Sequence, residues 1–183
     1  MQGSAPGTGR RGRIQALTLT ALMTAVTCVL APFSLSIGPV PISLTNLVIF
    51  FSVYLLGWKR AAMSTAAYLL IGLIGLPVFS GFAGGPGKLL GPTGGYLIGF
   101  VPMAVIAGLL LSRTERRALQ FLAMAAGTAV CYAFGTAWFC AVMDATAAAA
   151  LGACVLPFVP FDAVKILIAL SLCPVIKKRL SAL

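Results

Sequence analysis

Residues Thr93 to Arg117 read TGGYLIGFVPMAVIAGLLLSRTERR. From Thr93 to Leu111 there is no charged side chain. A helix over that run, at about 1.5 Å per residue, comes close to spanning a hydrocarbon core about 30 Å thick. The run stops at Ser112, and Arg113, Arg116 and Arg117 follow at once. An apolar run closed by a short basic loop is the pattern of a membrane helix whose end faces the cytoplasm.

The same pattern extends in both directions. Upstream lie apolar runs at Ile14 to Leu35, Ser43 to Leu56 and Ala61 to Leu73; downstream lie Ala118 to Met143 and, less regularly, residues 151–174. Pro157 and Pro160 interrupt the last of these, so its secure helix is expected over Phe161 to Ile176. The whole chain has 183 residues, 60% of them hydrophobic and 9% charged. A soluble domain carries about 25% charged residues, so this chain has too few to cover a water-facing surface. Six crossings of about 20 residues take roughly 120 residues, which leaves short loops and no soluble domain. The first run is longer than a signal-peptide core and is read as a retained helix.

Charge placement orients the helices. Of the 13 basic residues, all but Lys88 and Lys165 fall in four clusters: Arg10, Arg11 and Arg13; Lys59 and Arg60; Arg113, Arg116 and Arg117; Lys177, Lys178 and Arg179. With the N-terminus inside, alternating crossings bring every cluster to the cytoplasmic side, as the positive-inside rule requires. The reading is an all-α integral membrane protein: residues 1–13 a cytoplasmic tail, residues 14–183 one six-helix transmembrane domain, both termini cytoplasmic. A basic nucleic-acid surface would collect these residues on one solvated face instead, so nucleic acid is not expected as a partner.

The chemistry is sparse. There is no histidine, and the five cysteines form no CxxC pair, so neither a metal centre nor a cofactor is expected. Three acids without histidine do not make a lipid-processing site, and the chain is not read as an enzyme. Asp162 and Lys165 are the exception. Spaced i, i+3 behind Pro160, they share one helix face, with Asp162 expected in the first turn where the helix dipole favours it. Ionisable groups within the membrane are costly, which marks them as a candidate site; a salt bridge that only pins the helix end is the plain alternative. Between helices 3 and 4 runs a long outer loop from Gly75 to Pro92, rich in glycine and carrying Phe79 and Lys88. A loop of that length in a compact protein is usually functional. Thr45 and Asn46 open the second run, where they either bond to other helices or face a cavity. Ala21 and Ala25 form an AxxxA unit on the first helix, a small-residue face for another helix or for a partner. Asp144 is read as an interfacial residue at the outer end of the fifth run.

Four segments together resemble the BioY family: Gly38 to Leu44 (GPVPISL), Gly72 to Phe79 (GLIGLPVF), Gly91 to Phe100 (GPTGGYLIGF) and Pro160 to Lys165 (PFDAVK). The likeness runs in order through nearly the whole chain. It implies a biotin-binding S component of an energy-coupling factor (ECF) transporter in a prokaryotic cell membrane. Its partners would be biotin, membrane lipid, a transmembrane T component and two cytosolic ATPases. It implies ligand contacts at Asp162, Lys165, Lys88, Tyr96, Phe79, Thr45 and Asn46, with either Lys88 or Lys165 meeting the ligand carboxylate. It also assigns Ala21 and Ala25 to the T-component contact. The chain departs from the family in having Ser43-Leu44-Thr45 where Thr-Leu-Gln is common. An S component for another vitamin, or a solitary vitamin transporter, is the alternative.

Overall fold

A computed structural model of the chain describes residues 10–36 and 40–180. Among them are eight helices and one small hairpin. In chain order these are α1 (Arg10–Leu30), β1 (Ser34–Ser36), β2 (Pro41–Ser43), α2 (Thr45–Leu56), α3 (Trp58–Leu73), α4 (Pro86–Leu90), α5 (Gly94–Leu111), α6 (Arg117–Met143), α7 (Ala147–Cys154) and α8 (Phe158–Leu180). All six apolar runs form helices, and α4 and α7 are additional short ones. Four helices, α1, α5, α6 and α8, are long and apolar enough to cross a membrane. With 12 and 16 residues, α2 and α3 reach only about 18 and 24 Å at 1.5 Å per residue.

Local differences from the sequence reading have physical reasons. The first helix begins at Arg10, inside the expected tail, since three arginines are good helix formers and the single Gly12 weakens the turn without ending it. It ends at Leu30 rather than Leu35, as Pro32 stops it and the chain turns into β1. β1 and β2 pair antiparallel with Ser34 opposite Ser43. Gly38 and Pro39, which open the GPVPISL segment, lie outside the described residues. Gly57, at φ +79°, joins α2 to α3 by itself, a backbone conformation that L side chains rarely adopt. Pro160 falls in the first turn of α8, while Pro174 lies within the helix and does not end it.

The core is built on close helix approach. At Gly99 of α5 a Cβ would stand 3.3 Å from the Cys131 backbone of α6, and at Gly127 of α6 it would stand 2.8 Å from the Met103 carbonyl. Small residues at such points let helix backbones meet, and packing then drives association in lipid. Met103, Ala104, Ala107 and Met124 are fully buried at this seam. On α1, Thr24 bonds Ser64 of α3 (Oγ1–Oγ 2.9 Å). The opposite face of α1 leaves Ala21, Ala25, Leu22 and Val29 exposed.

The outer loop is folded. Phe79 and Ala83 form a bridge, with the Phe79 amide donating to the Ala83 carbonyl at 2.9 Å. Phe79 is fully buried, edge-on to Tyr68 with centroids 5.6 Å apart. Its ring lies directly over Gly72, where any Cβ would overlap it. Backbone bonds from Gly81 to the Pro32 carbonyl (3.0 Å) and from Gly85 to the Gly72 carbonyl (2.7 Å) tie the loop down. At its far end the Trp138 indole donates to the Gly91 carbonyl at 3.0 Å.

Candidate functional site

Three helices and the hairpin converge on one carboxylate. Asp162, on α8, is 3% exposed, and Lys165 one turn on is 8% exposed. Lys165 Nζ lies 2.9 Å from Asp162 Oδ1, the ion pair that the i, i+3 spacing leads one to expect. Asp162 Oδ2 accepts from Asn46 Nδ2 of α2 at 3.0 Å and from the Tyr132 hydroxyl of α6 at 2.6 Å. Lys165 also donates to the Ser43 carbonyl at the end of β2, at 2.9 Å. A buried charge survives when it is paired and hydrogen-bonded, and both partners meet that condition. One expectation is corrected. No acid occupies the first turn of α8, so Asp162 sits just beyond the reach of the terminal dipole. Its charge is held by these three donors instead.

The pair borders a cavity of about 50 Å³. The hairpin side contributes Val40, Pro41 and Ser43, and α2 contributes Asn46. Tyr96 and Phe100 come from α5, Cys131 and Tyr132 from α6, Cys154 from α7 and Phe158 from α8. The walls are thus apolar and aromatic with polar groups gathered at one end, the usual balance of a small-molecule site. Tyr96 packs its ring over Gly135 and places its hydroxyl 3.4 Å from Thr136 Oγ1.

A count of hydrogen-bonding capacity shows what the polar end offers. A carboxylate has about four acceptor positions and an ammonium three donors. Asp162 uses two positions on Oδ2 and one on Oδ1; Lys165 uses two donors. Among the described residues, one acceptor position on Oδ1 and one donor on Nζ are left without a partner. That pair complements a neutral N–H/C=O edge such as a urea or amide presents, and charge-assisted bonds of this kind are the strong ones.

Asp162, Lys165, Asn46 and Tyr96 therefore meet at one cavity. Thr45 does not line it: it is buried and accepts from the Ser43 hydroxyl at 2.8 Å, bracing the β2–α2 junction. Phe79 is likewise absent from the lining, its ring being spent on the Tyr68 and Gly72 contact. Lys88 stands half-buried on α4 and does not border the cavity. Ala21 and Ala25 are exposed on α1. Asp144 caps α6 in the left-handed conformation, φ 49°, and is exposed. Sequence reasoning missed Tyr132, Cys131, Cys154, Phe100 and Phe158. Tyr132 had a usable signal: Thr128, Gly135 and Thr136, at i−4, i+3 and i+4, mark its face as one that packs inward. Among the described residues no group of three His, Cys, Asp or Glu is placed to hold a metal ion.

Known proteins resemble this chain in sequence and in fold. The model of the BioY family matches residues 5–182. The biotin transporter BioY of Thermotoga maritima is 40% identical over 154 residues, covering 84% of this chain and 90% of that one. A probable biotin transporter BioY of Pyrococcus horikoshii is 40% identical over 149 residues, covering 81% and 88%. Among solved structures, an S-component for biotin from an ECF-type ABC transporter superposes with a TM-score of 0.86 at 27% identity, covering 94% of this chain and 95% of that one.

Proposed function

The chain belongs to the BioY family, and on that premise we propose that it captures biotin as the S component of an ECF-type transporter. The observation that carries the reading is the buried Asp162–Lys165 pair in the cavity wall, with one acceptor position and one donor unused by the bonds made among the described residues. Biotin's ureido ring supplies the matching edge. One ring N–H donates to Asp162 Oδ1 and the ring carbonyl accepts from Lys165. Asn46, whose amide oxygen has no donor among the described residues, accepts the second N–H. Tyr96, Phe100, Cys131, Cys154 and Phe158 pack on the fused ring.

The ligand carboxylate then lies toward the outer loop, where Lys88 is the cation that meets it. Lys165 is already engaged by Asp162 and Ser43. The cavity of about 50 Å³ is well below the roughly 300 Å³ at which small-ligand pockets begin. Capture therefore opens the hairpin or the outer loop, and Lys88 closes over the bound tail. Phe79 and Thr45 support the loop and the β2–α2 junction rather than touch the ligand.

In the membrane, α1, α2, α3, α5, α6 and α8 make the six crossings with both termini in the cytoplasm. The basic clusters at the start of α1, the α2–α3 junction, the α5–α6 junction and the end of α8 support this orientation. Lys177 of α8 stands 5.7 Å from the Tyr54 ring near the end of α2, a contact that supports this orientation. The chain has no phosphate-binding loop, so ATP is hydrolysed by two cytosolic ATPases, and the T component contacts α1 through Ala21 and Ala25.

The test is uptake of labelled biotin by cells that lack their own biotin transport. Uptake that requires this chain together with an ATPase module supports the reading. Uptake by the chain alone points to a solitary transporter, and uptake of a different vitamin overturns the ligand assignment.

A further inference from the structure

Tyr132 makes the shortest bond in the site, 2.6 Å from its hydroxyl to Asp162 Oδ2, and Asn46 Nδ2 reaches the same oxygen at 3.0 Å. One donor comes from α6, the other from α2, and the acceptor from α8. A carboxylate oxygen has two acceptor positions, so these two bonds fill Oδ2. The only acceptor position left on Asp162 is on Oδ1, beside Lys165. The carboxylate plane is fixed at the same time, because rotation about its axis would break two bonds made from two different helices.

We infer that Tyr132 is a positioning residue for ligand capture: with Asn46 it saturates Oδ2, so that Asp162 reads a ligand N–H through Oδ1 alone. The inference rests on the proposed biotin site and adds to it the reason why the carboxylate presents one defined acceptor. Without the hydroxyl, one position on Oδ2 opens, the carboxylate gains a second orientation, and the ligand edge no longer meets one fixed partner. Tyr132 is half-buried and its ring lines the cavity, so replacement by phenylalanine keeps the wall and removes only the donor.

The experiment is equilibrium binding of labelled biotin to the purified full chain, with Tyr132→Phe, Asn46→Ala and the double variant, each checked by its melting temperature. Tyr132→Phe is expected to weaken binding roughly tenfold, the scale of one hydrogen bond to a charged group. Since either loss already frees the carboxylate on Oδ2, the second removal costs less, and the double variant is expected to lose less than the product of the two single losses. Phenylalanine keeps the ring against the cavity, so a role in packing alone would leave affinity unchanged in Tyr132→Phe. Losses that multiply or exceed the product, or unchanged affinity in Tyr132→Phe, overturn the inference while the biotin site stands. If the wild-type chain binds no biotin, the reading of the site fails and this inference falls with it.

Discussion

Replacing Asp162 by asparagine removes one charge and keeps the shape. In the wild-type chain the carboxylate accepts from Lys165, Asn46 and Tyr132 and keeps one position on Oδ1 for the ligand. The variant loses a charge-assisted acceptor, worth about 1.5–3 kcal/mol. At 1.4 kcal/mol per tenfold, biotin affinity drops by roughly ten- to 150-fold. Stability falls as well, because the buried Lys165 ammonium keeps only the Ser43 carbonyl as a strong partner. Breaking a buried pair from one side costs about 3–5 kcal/mol, and the remaining amide oxygen of asparagine moderates that. A second variant separates the two effects. Asp162→Asn with Lys165→Met removes both charges, so melting temperature recovers most of its loss while biotin affinity does not. The assays are equilibrium binding in detergent and thermal unfolding of the same preparations. Affinity within twofold of wild type in Asp162→Asn, or restored in the double variant, would refute the reasoning that places the ligand on this pair.

Phe79→Ala empties a fully buried position against Tyr68 and Gly72, so thermal unfolding should show a loss of about 3–5 kcal/mol. If Phe79 only anchors the loop, biotin affinity measured well below the melting transition changes much less than in Asp162→Asn. Lys88→Ala is expected to weaken biotin binding roughly tenfold and leave biotin methyl ester, which has no carboxylate, unaffected. An equal loss for both ligands would remove Lys88 from the tail contact. Ala25→Leu enlarges an exposed position of α1 that makes no core contact in this chain, so biotin binding persists while copurification with a T component is lost. Retained copurification would move the partner face elsewhere.

Much of the membrane fold could be read from the sequence because lipid imposes few solutions. Long uncharged runs must be helical, and arginine and lysine clusters tell which end stays inside. What could not be read lies where local signals are weak. The β1–β2 hairpin is only three residues a side, and α2 and α3 stop short because Gly57 turns the chain between them. Of the site, Asp162, Lys165 and Asn46 announced themselves as polar groups in apolar runs. Tyr132 carried only the inward-packing signal of Thr128, Gly135 and Thr136, which fits a core residue as well as a site residue. Its role depends on contact with α8 across 30 residues of chain, which no local pattern encodes. Phe79 shows the reverse case. An aromatic residue in a glycine-rich outer loop looks like a ligand contact, yet Gly72 leaves a bare surface that takes its ring into the core.

The most direct test is equilibrium binding of labelled biotin to this single purified chain, with no ATPase module present. Saturable tight binding is predicted, displaced by desthiobiotin, which keeps the ureido ring, and unaffected by thiamine or riboflavin. No binding by a folded preparation, or displacement by those other vitamins, would contradict a biotin-capture site built on Asp162 and Lys165.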